Sequence, residues 1–367
     1  MRSVAALIVI ISGMLDAVAA LASDLRTSVG SIKVEQIVGG LDQPWAIGFL
    51  PDNSVLITER DGRVLLRQGE DLTQLGGVPI VVDDGQGGLL DVLVPRDFAE
   101  TQELFFSYAK PQRSGSGTAI FRATFAEGAR SLTDVRTIFE LTEGSSGGRH
   151  FGSRIVEAPD GHLFLTIGDR GDRPSAQDLS RENGSVVRIS RDGSIPPDNP
   201  FVGDVSVRPA IWSYGHRNPQ GAALDLRGNL VTVEHGARGG DEINRIRPGA
   251  NYGWPLIAYG RHYSGQPIGV GTSAPGLEQP DYYWDPSMAP SGMMIYSGKL
   301  WPDWRGDIFV GSLKFDYIAR LEGEPMAEVE QLTSDETGRV RDVREAPDGT
   351  IWFLSVGNGA LYRMSPG

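Results

Sequence analysis

Cysteine is absent from the sequence, which excludes disulfides and thiolate metal sites and leaves oxygen and imidazole as the available metal ligands. Positive charge is scarce: Lys and Arg number 34 against 47 Asp and Glu, a formal net charge of −13. That sign repels phosphate backbones and anionic membranes, so nucleic acid is not an expected partner. A small anionic ligand stays compatible, because it needs only a few inward-facing Arg or Lys side chains. Long apolar runs are missing beyond the N-terminus, so no membrane insertion of the mature chain is expected.

What is present begins with a leader pattern. Arg2 precedes an apolar run from Val4 to Ile11, and Ala20-Leu21-Ala22 supplies a small-residue cleavage site, so residues 1–22 read as a signal peptide and Ser23 as the mature start. Ser12, Gly13 and Asp16 interrupt the run, which falls short of the about 20 apolar residues that an anchor needs. The expected location is periplasmic or secreted. Gly 48 and Pro 23 with 22% charged residues describe a turn-rich β chain rather than a helical bundle.

A turn rich in Pro, Asp and Gly leads into a short apolar strand six times, as LPDNSVLITER from Leu50, PRDFAETQELFFSYA from Pro95, APDGHLFLTIGD from Ala158, DLRGNLVTVEHG from Asp225, WPDWRGDIFVGS from Trp301 and APDGTIWFLSVG from Ala346. The intervals leave room for four strands each, with long insertions in the later ones. Sheets of this size cannot bury both faces alone, so they stack radially. The expected fold is all-β, a six-bladed β-propeller with four-stranded antiparallel blades over residues 23–367. A pair of β-sandwiches would share the hairpin signals, but no Pro/Ser-rich or charged linker divides the chain, which favours one closed domain.

Several stretches carry chemistry. His150 lies in GGRHFGSR, and a following hairpin can bring Asp169 of GDRGD beside it, as base and orienter; a surface histidine and a turn aspartate are the plain alternative. Arg217 and Asn218 in WSYGHRNPQG suit a clamp on a carboxylate or quinone oxygen, or merely a turn. Glu234, Asp241 and Glu242 lie among glycines whose carbonyls can serve calcium, without EF-hand spacing. Arg339 and Arg341 at i and i+2 are expected on one strand face, where two like charges favour an anion between them. Gln86 in DDGQGGLLD and Lys314 in GSLKFD are further polar groups among small residues.

In order, the blocks LDQPWAIGFLPDNSVLITER, GQGGLLD, GGRHFGSRI, LTIGDRGD, SYGHRNPQG, EHGARGGDEIN, GANYGWP, APSG, GSLK and GRVRDV resemble the soluble pyrroloquinoline quinone (PQQ)-dependent glucose and aldose sugar dehydrogenases. They span Leu41 to Asp342. The resemblance implies PQQ over the central channel with calcium beside it, and a catalytic set of His150 as base, Asp169 as its orienter and Arg217. It implies cofactor contacts from Gln86, Arg217, Asn218, Lys314, Arg339 and Arg341, and an aromatic wall at Trp284. Gly236 and Ala237 match carbonyls that hold the catalytic calcium, while Glu242 and the Tyr252 carbonyl match a second, structural calcium.

His235 and Ala237 depart from the glucose-oxidising branch, as does Arg149 before the histidine, and HFG follows it as in the aldose-type branch. Broad aldose oxidation to a lactone is therefore expected, with a small-molecule sugar as substrate, an electron acceptor that the sequence does not identify, and a monomer or homodimer. The rival readings are a calcium-dependent lactonase or phosphoesterase on the same fold and a non-catalytic binding propeller.

Overall fold

The computed structural model describes residues 22–367. The expected leader lies outside the described residues except for Ala22, which opens the strand Ala22–Thr27.

Four of the six repeated turns close by the same local chemistry, while the second and fifth contain the short helical turns Phe98–Thr101 and Pro302–Trp304. The aspartate side chain accepts the N–H two residues on, from Asp52 to Ser54, Asp160 to His162, Asp225 to Arg227 and Asp348 to Thr350, the Asx arrangement that competes successfully with helix. The apolar run behind each turn becomes the second strand of a sheet: Val55–Glu59, Glu103–Gln112, Leu163–Thr166, Leu230–Glu234, Ile308–Ser312 and Ile351–Ser355.

Six antiparallel sheets result. Five have four strands, and the sixth has five, because Ala22–Thr27 adds an outermost strand to it. The ring closes within that sheet, where the N-terminal Gly30–Val38 pairs with the C-terminal Ala360–Pro366. First strands Pro44–Phe49, Leu89–Leu93, Ile155–Glu157, Pro219–Leu224, Pro290–Ile295 and Val340–Glu345 are neighbours in sequence around the axis, and the last meets the first again. This is a six-bladed β-propeller. The long insertions fall in the third and fourth blades, between Ser185–Ile189 and Ile211–Tyr214 and between Asp241–Arg245 and Tyr282–Trp284.

The core is divided among the blade interfaces. An apolar cluster fills each junction, such as Phe106 and Phe121 with Trp45 between the first and second blades, or Leu354 and Leu361 with Ile47 and Ile57 between the sixth and first. No blade could bury both faces alone, so closure of the ring is what removes this surface from water. Along the axis the side chains are charged instead. Arg154, 1% exposed, reaches Asp91 and Asp342 at 3.0 Å each, and Arg344 reaches the same two carboxylates at 2.7 and 3.0 Å. Charges on the first strands of the second and sixth blades, and on the residue just before that of the third, are thereby paired across the axis. Among the described residues no helix is long and apolar enough to cross a membrane.

Candidate active site at the channel mouth

Loops that precede the first strands and loops that follow the second strands share one end of the ring, opposite the Asx turns. Most of the residues singled out in the sequence gather there. His150, 12% exposed, and the fully buried Asp169 are joined by a 2.6 Å contact from Nδ1 to Oδ1. Gly168 allows this approach: a side chain there would run into the His150 carbonyl. His150 itself sits at φ 55°. Its loop is pinned by Arg170, which donates to the carbonyls of Arg149 and Gly147 and stacks on Phe151.

The electrostatics set the protonation states. Burial, helped by the nearby Arg217 and Arg149 guanidinium groups, holds the His150 imidazole below its ordinary value against the pull of Asp169. Burial alone would raise Asp169, but donors from His150, Gly171 and Trp254 outweigh it and hold the carboxyl low. Asp169 is thus a carboxylate that accepts Nδ1–H, and Nε2 of a neutral His150 is left as a proton acceptor.

Beside this pair lies a pocket lined by Trp45, Gln86, Asn218, Arg339 and Arg341, with Arg60, Gln220 and His235 completing its wall. No carboxylate lines it. Gln86 Oε1 accepts the His150 backbone N–H at 2.7 Å, and Asn218 Oδ1 accepts from Gly152 N at 3.2 Å, so pocket and histidine loop are one unit. Arg341 donates to Gln220 at 2.5 Å and lies 4.7 Å from the Trp45 ring centroid. Burial first, and the adjacent Arg154 second, push its guanidinium down to about 9. Its Nε and that of the buried Arg217 have no hydrogen-bond partner. Buried cations with spare donors and no counter-ion are what a bound polyanion would relieve.

Three expectations need correction. Arg339 does not extend a strand face with Arg341: it precedes Val340–Glu345 at φ 47°, yet a register shift after Val340 lets both side chains line the same pocket. Trp284 is no wall of this pocket. It sits on the outermost strand of the fourth blade, 6% exposed in the apolar cluster with Val231 and Met293, and donates to Glu328. Alternation along Tyr282–Trp284 turns that ring into the blade interface. Lys314 is exposed at the rim, one residue past the lining Leu313, with its ammonium on the Ser287 carbonyl at 3.1 Å.

Gly236, Ala237, Glu242 and Tyr252, assigned from the sequence to two calcium positions, line one small pocket with Glu234. A side chain at Gly236 would meet the carbonyls of Gly239 and Gly240, and Glu242 is held well above the ordinary carboxyl range by burial and by Glu234. Arg217 lines the same pocket, but Glu242 forms no ion pair among the described residues, and the oxygen donors fit a hard divalent ion. The Ala237 carbonyl already accepts Arg261 N–H at 2.8 Å. No cluster of three or more His, Asp or Glu suited to a metal occurs among the described residues.

Four contributors carried no role in the sequence reading. Trp45 forms the aromatic floor, with Arg154 4.4 Å from its centroid on the axial side. Trp254 donates to Asp169 Oδ2 at 2.8 Å. Gln220 joins Arg341 to Asn218. His235 donates Nε2–H to the Pro290 carbonyl at 2.6 Å and is kept neutral, pushed down to about 3 by burial and then Arg217.

The comparisons with known proteins agree in kind. The family model described as Glucose / Sorbosone dehydrogenase matches residues 41–363. Aldose sugar dehydrogenase YliI of Escherichia coli K12 is 41% identical over 94% of this chain and 96% of its own. The crystal structure of the soluble E. coli aldose sugar dehydrogenase in its apo-form superposes with a TM-score of 0.88, covering 92% of this chain and 100% of that one. The PQQ-bound aldose sugar dehydrogenase of Streptomyces coelicolor has a TM-score of 0.75 at 27% identity, covering 95% and 100%. The chain belongs to the glucose/sorbosone dehydrogenase family of oxidoreductases.

Proposed function

We propose that the protein oxidises aldoses at the anomeric carbon to lactones, with PQQ as bound oxidant and calcium beside it. The observation that carries this reading is a neutral, carboxylate-oriented His150 next to a pocket that no carboxylate lines and in which Arg339 and Arg341 have no carboxylate partner. Arg341 and Arg339, with Gln86 and Asn218, and Arg217 from the adjoining pocket that shares His235, would hold the cofactor's carboxylates and carbonyls, and Lys314 is a rim cation within the same loop end. Gly236 and Ala237 would offer carbonyls to a calcium, with Glu242 and the Tyr252 carbonyl for a second. PQQ, when bound, supplies the hydride acceptor, and calcium the Lewis acid that favours charge on it.

The chain's own work is proton handling and positioning. His150 Nε2 takes the proton of the anomeric hydroxyl. Asp169 fixes the tautomer and stabilises the imidazolium that forms, and Trp254 keeps that carboxylate oriented through its second oxygen. Arg217 and Arg149 lower the proton affinity of His150 at rest, so the base stays available near neutral pH. A calcium-dependent hydrolase would want carboxylates converging on an open metal; the mouth pocket offers guanidinium groups instead.

The experiment is reconstitution: purified protein, PQQ and calcium are mixed, and dye reduction is followed with a panel of aldoses. Turnover that requires both additions is expected. No reduction by any aldose would overturn the reading and leave the hydrolase and the binding propeller.

A further inference from the structure

This acidic chain spends most of its buried or partly buried guanidinium groups on carboxylates, as in Arg188 with Asp160, Arg191 with Asp97 and Arg320 with Asp307. Near the reacting histidine the arginines are not paired in this way, and two of them, Arg149 and Arg173, lie outside the cofactor set. Arg149 is exposed, its side chain lies against Gly171, and it has neither a carboxylate partner nor a side-chain hydrogen bond among the described residues. Arg173, half-buried, sits 5.4 Å from the Trp254 ring centroid and donates to His262 Nδ1 at 2.7 Å, again with no carboxylate. Arg217 flanks the same indole at 5.4 Å. That indole is the one bonded to Asp169, so both unpaired groups stand around the His150–Asp169 pair.

The cofactor reading uses Arg217, Arg339 and Arg341 as ligands and gives neither Arg149 nor Arg173 a ligand to hold. They are not neutral decoration. Arg149 works against protonation of His150, and Arg173 against the charge of Arg217. Cations beside a general base oppose the proton transfer it performs, unless an anion joins them when the substrate binds. Two acids of the same loops form no ion pair with them: Asp84 lies against Gly148, and Asp172 pairs with Arg181 at 3.6 Å.

We propose that the sugar subsite is built for an anionic aldose, a hexuronic acid or an aldose phosphate, whose acidic group binds Arg149 and Arg173 while its anomeric carbon faces His150. This rests on the reading of the site as an aldose oxidoreductase. The reaction at the anomeric carbon is unchanged: the C–H bond breaks, C=O forms, the hydride passes to the quinone cofactor and the hydroxyl proton to His150. The acidic group is conserved, so a uronate gives the lactone of an aldaric acid. His262 accepts from Arg173 through Nδ1, which pre-orients that guanidinium and leaves its other donors free.

The test uses the reconstituted enzyme with an uncharged dye and compares kcat/KM for glucose, glucuronate and glucose 6-phosphate at low and high salt. One acid should exceed glucose by about tenfold or more at low salt, the factor that one charge-assisted hydrogen bond supplies, and the excess should shrink at high salt. The arm that wins identifies carboxylate or phosphate. In the double variant Arg149→Gln/Arg173→Gln the ratio of acid to glucose should fall to near one, and Arg149→Glu should favour glucosamine over glucuronate. NMR titration of the cofactor-free protein should show the same acid binding more tightly than glucose. Glucose oxidised as well as or better than both acids, or a ratio unchanged in the double variant, overturns this inference alone. No oxidation of any of the three sugars overturns the aldose reading and this inference with it.

Discussion

Trp254 donates its indole N–H to Oδ2 of Asp169 across 2.8 Å, and His150 takes the other oxygen of that carboxylate. The carboxylate is therefore held from both sides before any substrate arrives. Trp254→Phe keeps the ring and removes the donor. Sugar oxidation should fall about tenfold or more, the scale of one hydrogen bond to a charged group, with cofactor binding retained. An unchanged single-turnover rate would show that His150 suffices to orient Asp169.

The His150 imidazole should titrate below its ordinary value of 6.5, because burial and then Arg217 and Arg149 disfavour its charge. Proton uptake by this ring thus begins only as pH falls below that value, and the neutral base persists above it. NMR of the cofactor-free protein measures the midpoint directly. Arg217→Gln should raise it by removing a cation, and Asp169→Asn should lower it by removing the anion. A midpoint at or above 6.5 in the unaltered protein would contradict the assigned electrostatics.

Arg341 trades stability for binding. Its charge is buried with an unpartnered Nε, next to Arg154. Arg341→Met should raise the melting temperature of the cofactor-free protein while weakening PQQ binding by roughly 1.5 to 3 kcal/mol. Thermal denaturation and equilibrium binding read the two effects separately, and a variant that binds PQQ normally would remove the anion clamp.

The axial network should behave in the opposite way. Arg154→Met leaves Arg344 as the one ion-pair partner of Asp91 and Asp342 among the described residues, and a buried pair broken from one side costs about 3–5 kcal/mol. Denaturant unfolding measures the loss; a cost near zero would mean that Arg344 can neutralise both carboxylates.

The ring was legible because its signal is local. Asp52, Asp160, Asp225 and Asp348 each close a turn over two residues, and an apolar run follows every time. The pairing of His150 with Asp169 was legible for the same reason, since one hairpin separates them. Trp254 and Asp169 are 85 residues apart and Arg341 and Gln220 are 121 apart; nothing in either local sequence announces the contact, which exists only once the ring closes. Trp284 falls away from the pocket because a motif gives order along the chain but not how far from the axis a strand lies: Tyr282–Trp284 is the outermost strand of its blade. The fifth strand of the last blade was missed because Ala22–Thr27 pairs with Gly30–Val38 ahead of the first repeat.

The central claim is that binding and chemistry belong to different residues, with His150 as the base. Single-turnover quinone reduction in PQQ-saturated protein separates them most directly. His150→Gln should keep PQQ and calcium bound and lower sugar oxidation by about 10² or more, the scale of a lost general base, with a milder loss in Asp169→Asn. Near-normal reduction rates in the His150→Gln variant would contradict the account.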